Sequence, residues 1–305
     1  MKIFLSQSVK IPIFAVLFFL LMQGFALAEK GVYNFGDTYK IYHNPADLAL
    51  VEKLIKKTGE RVKGIENFFG IKPKSEIHIY LTKSDAEFQS YSADGFPEWA
   101  QAIAFVNKKI IIIRVANADE INRLPQVFLH ELVHIYLGIQ YSNTNVPTWL
   151  HEGIAQWLSN ENLTADEQVL IANALYSDRL KNLAALDSMF VFSSNQARLG
   201  YALARSAVDY FIREYDDRAL LEILDLLEKR ESLNGAFKKS TGRDFIDFEV
   251  GWYAFIDEQY KWMVLLNVPD LVWVLLVVLF LAAVIRMRIK NKKTVLSWPE
   301  ENEEE

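Results

Sequence analysis

The sequence predicts an α+β fold, rich in strands at first and helical afterwards, with one further helix near the C-terminus that crosses a membrane. Three observations predict it. Short apolar stretches alternating with polar residues end near residue 116. From about residue 119 the apolar residues recur at helical spacing instead. An uncharged apolar run, residues 271–285, stands close to the end of the 305-residue chain. Strands first and helices afterwards fit two lobes with a cleft between them, a strand-rich N-terminal lobe and a helical C-terminal lobe.

The first segment, residues 1–28, carries Lys2 and Lys10, an apolar run over 11–22, and Ala26-Leu27-Ala28 before Glu29. A basic start, a short apolar core and small residues at the −3 and −1 positions make a signal peptide, with cleavage expected after Ala28. The alternative is an uncleaved anchor, since 11–28 nearly spans a bilayer. Residues 29–261 then form an extracytoplasmic domain. Within it, residues 31–42 look strand-like and end near Asn44-Pro45, a pair suited to cap and begin a helix. Leu48, Val51, Leu54, Val62, Ile65 and Phe69 follow at helical spacing, and Gly70 supplies a stop. Ile77, Ile79 and Leu81 alternate with His78 and Tyr80, as in a half-buried strand. Two apolar runs around Asn107-Lys108-Lys109 predict a hairpin over residues 103–116. Residues 201–215, 220–229 and 245–260 all show helical periodicity.

Three of the five histidines fall within 22 residues. The segment Leu129-His130-Glu131-Leu132-Val133-His134 holds a complete H-E-x-x-H. Pro125 before it suits a first helical turn and Gly138 after it suits a C-terminal cap, which predicts a helix. Positions i and i+4 share one helix face, so His130 and His134 can bind one metal ion. Glu131, one residue along, can reach a metal-bound water without ligating the metal. A catalytic zinc site usually needs a third protein ligand and an open position. Leu137 and Gln140 stand where an H-E-x-x-H-x-x-G-x-x-H arrangement would place Gly and His, which excludes that source of the third ligand. Further on, Pro147-Thr148-Trp149-Leu150-His151-Glu152-Gly153-Ile154-Ala155-Gln156-Trp157 predicts a short second helix. Both His151 and Glu152 are candidates there. Neighbours on a helix point about 100° apart, so the two are not expected to bind together.

HELVH followed by WLHEGIAQW resembles the gluzincin metallopeptidases, and most of all the group described as peptidase MA-like. The resemblance extends in outline from about Ile77 to Trp252. It implies a two-lobed, zincin-like ectodomain holding one Zn²⁺ per chain, with His130, His134 and Glu152 as ligands. It also implies a zinc-activated water, with Glu131 as the general base that takes its proton and passes it to the leaving amine. In related proteins a Tyr or His from the helical lobe stabilises the oxyanion. Tyr201 is the candidate here, with Tyr210 and Tyr215 as competitors and aromatic packing as the alternative role. Gln156 departs from the pattern, because several gluzincins carry a carboxylate there, hydrogen-bonded to a zinc-binding imidazole. A glutamine accepts such a bond through its amide oxygen, without the charge. The strand at 110–114, just upstream of the metal helix, is the candidate edge for pairing with a peptide substrate, with an ordinary core strand as the alternative. His43 and His78 have no partner spacing and read as structural or surface residues.

Composition narrows the alternatives. The chain has no cysteine, which excludes a disulfide framework, an iron–sulfur cluster, a cysteine nucleophile and a thiolate zinc site. A net charge of −6 argues against a general nucleic-acid partner. Residues 262–290 read as a membrane segment with its flank; from Pro269 to Lys290 a helix covers about 33 Å, enough for a bilayer core. Arg286, Arg288, Lys290, Lys292 and Lys293 follow the apolar run, so the C-terminus is expected in the cytoplasm and the domain outside the cytoplasmic (inner) membrane. Residues 291–305 form an acidic tail. The sequence thus predicts a membrane-anchored zinc metallopeptidase acting on peptide or protein substrates. The competing functions are a non-catalytic binding or assembly protein stabilised by zinc and a zinc hydrolase of non-peptide amides or esters.

Overall fold

A computed structural model describes residues 30–91, 100–142, 146–177, 179–191, 194–266 and 268–296. The expected signal peptide, residues 1–28, and the tail from Trp298 onward lie outside the described residues. Contacts divide the chain into two compact units, one running to Ser142 with Leu158–Asn160 added, the other comprising Asn143–Trp157 and Glu161 onward.

The first unit is a five-stranded sheet between helices. Its strands are β1 (Gly31–Phe35), β2 (Tyr39–His43), β3 (Ile77–Thr82), β4 (Ala102–Phe105) and β5 (Ile110–Arg114), in the order β1-β2-β3-β5-β4. The segment that reads as one strand over 31–42 is a hairpin, because Gly36 turns the chain at a positive φ. Strand β3 pairs in parallel with β2 and with β5, and β4 pairs antiparallel with β5. Register places Ile41, Ile79 and Ile111 in one row across the sheet, all fully buried. Helices α1 (Leu48–Phe69) and α3 (Ala118–Gln140) pack against the strands and each other. On the other face α2 (Asp85–Tyr91) inserts Phe88 against Ile103 and Ile112.

The pairing decides between the two readings of residues 110–114 in favour of a core strand and against an edge. Strand β5 is not an edge: it is bonded on one side to β3 and on the other to β4, and Ile111, Ile112 and Ile113 are buried. Among the described residues the edge next to it is β4. Two neighbouring apolar runs announce a hairpin, but which arm faces outward depends on the distant pairing with β3.

Helix α3 carries the H-E-x-x-H segment and is longer than its sequence punctuation suggests. Asn117 caps it by accepting from the Glu120 backbone N–H at 2.9 Å, eight residues upstream of Pro125. The Glu120 carboxylate takes bonds from the Ala116 N–H and from Arg114 Nε, both at 2.8 Å, which ties the helix start to the end of β5. Pro125 therefore lies inside the helix and removes one bond to the carbonyl of Ile121. That cost, about 3 kcal/mol in an exposed helix, is offset by an apolar face in which Leu124, Phe128, Leu132, Val133 and Ile135 are buried. Gly138 is also interior. A Cβ there would stand 1.9 Å from Val106 Cγ1, so this glycine admits the turn between β4 and β5 rather than ending the helix.

A polar clasp joins β2, α1 and α3. The Tyr39 hydroxyl donates to Glu66 Oε1 at 2.8 Å and lies 2.7 Å from the Tyr136 hydroxyl. His43 is buried with Nδ1 2.7 Å from the Asn44 carbonyl, and His78 Nδ1 lies 3.1 Å from the Tyr42 hydroxyl; both sit among local partners, as expected.

The second unit is helical: α4 (Thr148–Ser159), α5 (Ala165–Tyr176), α6 (Ser194–Glu214), α7 (Asp217–Glu228), α8 (Leu233–Thr241), α9 (Phe245–Tyr260) and α10 (Val268–Leu296). Its centre is aromatic, with Trp149 stacked on Phe248, Phe237 against Phe211 and Phe248, and the Trp252 indole donating to Ser206 Oγ at 3.1 Å. A 3₁₀ turn at Lys261–Leu266 follows α9, packs on α5 and buries Met263. Helix α10 then begins after a single residue. Its stretch Val272–Asn291 has a mean hydropathy of 2.4 and no buried share, so it is apolar enough to cross a membrane. Exposed Trp273 and Phe280, at 68% each, would have no place in a water-facing helix.

Burial raises the Tyr39 and Tyr136 phenols above their ordinary value of about 10. A folded-state pKa above the unfolded one means that this stabilisation is complete below pH 10 and lost as pH climbs past it. Alkaline titration followed by tyrosinate absorbance should show both phenols among those that ionise only with unfolding. That late component should shrink by two phenols in the Tyr39→Phe/Tyr136→Phe double variant, while Tyr260, pushed up to about 12 by burial, stays in it.

Candidate metal centre

The two histidines of α3 stand one helical turn apart, with ring centroids 4.7 Å from each other and planes at 84°. Both are half-buried, as is Glu131, while the neighbouring Leu129, Leu132 and Val133 are buried. The helix thus offers one face to the core and keeps the titratable side chains on the other.

Helix α4 is set at both ends. At its start the Pro147 carbonyl accepts from the N–H groups of Leu150 and His151, each at 3.0 Å, so Pro147 immediately precedes the helix instead of lying in its first turn. The Thr148 N–H donates to Asp187 Oδ1 at 2.8 Å. At its end Asn160 takes a left-handed φ of 62°, and the Glu161 N–H returns to the Gln156 carbonyl at 2.9 Å. This is the Schellman closure, and Asn is one of the few side chains that tolerates its backbone. Trp149, Leu150, Ile154 and Ala155 are buried. Glu152 is 3% exposed, a carboxylate withdrawn from water to a degree that demands a cation or hydrogen-bond donors.

His130, His134 and Glu152 each offer a ligand atom, and the three atoms all lie within 4.8 Å of one another. The group can hold a metal ion. It contains Glu152 and not His151, which is half-buried on the same helix.

Several contacts fix α4 against α6, and Gly153, Arg205 and Asp209 among them were not singled out by the sequence. Gly153 approaches α6 so closely that a Cβ would stand 2.5 Å from the Ala204 carbonyl oxygen and 2.6 Å from Val208 Cγ2. Gln156 donates its amide N–H to the Tyr201 carbonyl at 3.2 Å, which orients the departure from the family pattern noted above. Arg205 donates through Nη1 to the Gln156 carbonyl at 2.9 Å and to the Glu161 carbonyl, and through Nε to both oxygens of Asp209, each at 2.9 Å. Burial raises the Asp209 carboxyl against the opposing pull of Arg205. A signal for this pair was present: Arg and Asp at i and i+4 inside Ala-Leu-Ala-Arg-Ser-Ala-Val-Asp, an otherwise apolar turn. Tyr201 lies half-buried on α6. Its competitors pack elsewhere in the core, Tyr210 against Phe248 and Phe255, Tyr215 against Phe211.

Gly153→Ala should destabilise the chain by about 1–3 kcal/mol, because backbone cannot yield to the added methyl as a flexible side chain would. Gly64→Ala, exposed on α1 with open space around it, should instead be neutral or stabilising by up to about 1 kcal/mol. Denaturant unfolding of the two variants beside the parent checks both signs.

None of the curated proteins compared matches the chain. A family model described as the Peptidase MA superfamily matches residues 59–258, from within α1 to within α9. The matched region contains both helices of the metal-binding group and α6. The chain belongs to the Peptidase MA superfamily, a membership that supports peptidase activity.

Proposed function

We propose that the protein is a zinc metallopeptidase anchored in the cytoplasmic membrane by α10, with a two-lobed catalytic domain on the outer side. The observation that carries the proposal is the convergence of His130, His134 and Glu152 on one another in a chain of this family. Two imidazoles and one carboxylate suit zinc, and three protein ligands leave a position open for chemistry. When bound, zinc supplies Lewis acidity toward a water and a peptide carbonyl.

The remaining work falls to the chain. Glu131 follows His130 directly and is turned about 100° from it around the helix, so it stands beside the ligand face without sharing it. Its carboxylate takes the proton of the attacking water and delivers it to the leaving amine nitrogen. Tyr201 donates its hydroxyl to the oxyanion as charge develops on the carbonyl oxygen. The basic residues after the apolar stretch of α10 hold the C-terminus in the cytoplasm, opposite the catalytic domain.

Glu131→Gln, in the full chain in detergent, should keep about one zinc per chain and lose peptide hydrolysis by at least about a hundredfold. Tyr201→Phe should lower kcat/KM by about a hundredfold with zinc content unchanged. Mass spectrometry of products from a peptide library, beside elemental analysis of the protein, measures both. Hydrolysis retained by Glu131→Gln rules out its role as base, and parent protein that binds zinc without cleaving any peptide favours the binding or assembly function.

A further inference from the structure

Glu152 lies in the middle of a helix of 12 residues, and nothing in that helix alone fixes how far along its axis the carboxylate stands. The last turn of α4 is where such a helix would fray, since the final carbonyls of any helix lack partners inside the helix and must find them beyond it. Here the Gln156 carbonyl, which also accepts the Glu161 N–H, and the carbonyl of Glu161 just past the helix both accept from the same guanidinium nitrogen of Arg205. Arg205 is itself 6% exposed and is oriented by the two oxygens of Asp209 one turn along α6. A buried guanidinium whose Nε is held by both oxygens of a carboxylate is an oriented donor, and its charge opposes the negative end of the α4 dipole. One turn before Gln156, Gly153 rests on the Ala204 carbonyl, next to Arg205 in sequence. The contact therefore sets the distance between the two helices, and the arginine sets the position of α4 along that contact.

We propose that Arg205, held by Asp209, is a positioning residue for the Glu152 carboxylate, an inference that rests on the zinc-peptidase assignment. Arg205 reaches the main chain of the ligand-bearing helix four residues after the ligand. Its removal lets the last turn of α4 shift, so the carboxylate no longer meets the two imidazoles in one geometry. Metal-site partners that act through a ligand in this way typically govern about 10–100-fold of metal affinity.

The test uses the full chain in detergent micelles, with zinc as the probe. Zinc affinity is measured by competition with a chromogenic chelator, and the melting temperature of the metal-free form is measured alongside. Arg205→Met should weaken zinc binding about tenfold or more. In a Glu152→Gln background the same substitution should weaken it no further, because the carboxylate through which it acts is gone. A merely structural arginine would lower the metal-free melting temperature and leave zinc affinity unchanged, or would cost the same factor in both backgrounds; either result overturns the proposal. Should Arg205→Met fail to fold, Asp209→Asn replaces it, with a smaller loss of the same sign expected and unchanged affinity again overturning the idea. Parent protein that binds no zinc at all would instead overturn the zinc-peptidase assignment, so the two failures are told apart.

Discussion

The candidate metal group depends on one constraint above all: a helix that presents titratable residues on one side must be buried without compromise on the other. In α3 that burial is supplied by the sheet and α1, and it is strong enough to carry a proline in mid-helix. The Arg114–Glu120 pair and the Asn117 cap fix where the helix starts, and the close approach at Gly138 fixes where its last turn lies. Between those points the rotation of the helix is set, and with it the side to which His130, Glu131 and His134 belong.

The partner helix α4 meets the same need by different means. It is short, its apolar residues are nearly all buried, and its two ends are stitched by Asp187 and by Arg205. Each end provides what an isolated helix of that length lacks, a partner for backbone groups that would otherwise face water or fray. A carboxylate as deeply withdrawn as Glu152 is costly unless something compensates it, and a structure that spends so many contacts on holding it in place is using the cost.

What was legible in the sequence was local. The helix over 48–69 and its Gly70 stop, the alternation of β3, the β4–β5 hairpin and the i, i+4 histidines all follow from spacing within a few residues, and each stands where spacing put it. The errors arose where distant chain decides. Pro125 and Gly138 read as punctuation, because propensity is local while the burial and close approach that override it are not. Which arm of the β4–β5 hairpin faces outward is settled by β3, some thirty residues earlier, which pairs with β5. Helix α5 was overlooked although Thr164 and Glu167 form a complete capping box before it, a signal the apolar periodicity was too weak to draw attention to. Arg205 could not be recognised as a contact of α4, since its partners are main-chain carbonyls, which carry no sequence identity.

The 3₁₀ turn between α9 and α10 has a consequence for how this protein meets other molecules. Met263 is buried in the helical unit, and helix α10, which carries the segment suited to a bilayer, begins at Val268, five residues later. Five residues of chain, however arranged, reach no more than about 18 Å. On the membrane-anchored assignment the enzyme is a fixture on its bilayer rather than a swinging arm. Its encounters are then governed by diffusion in two dimensions, and a target held in the same sheet of lipid is met at a far higher local concentration than one adrift in the surrounding volume.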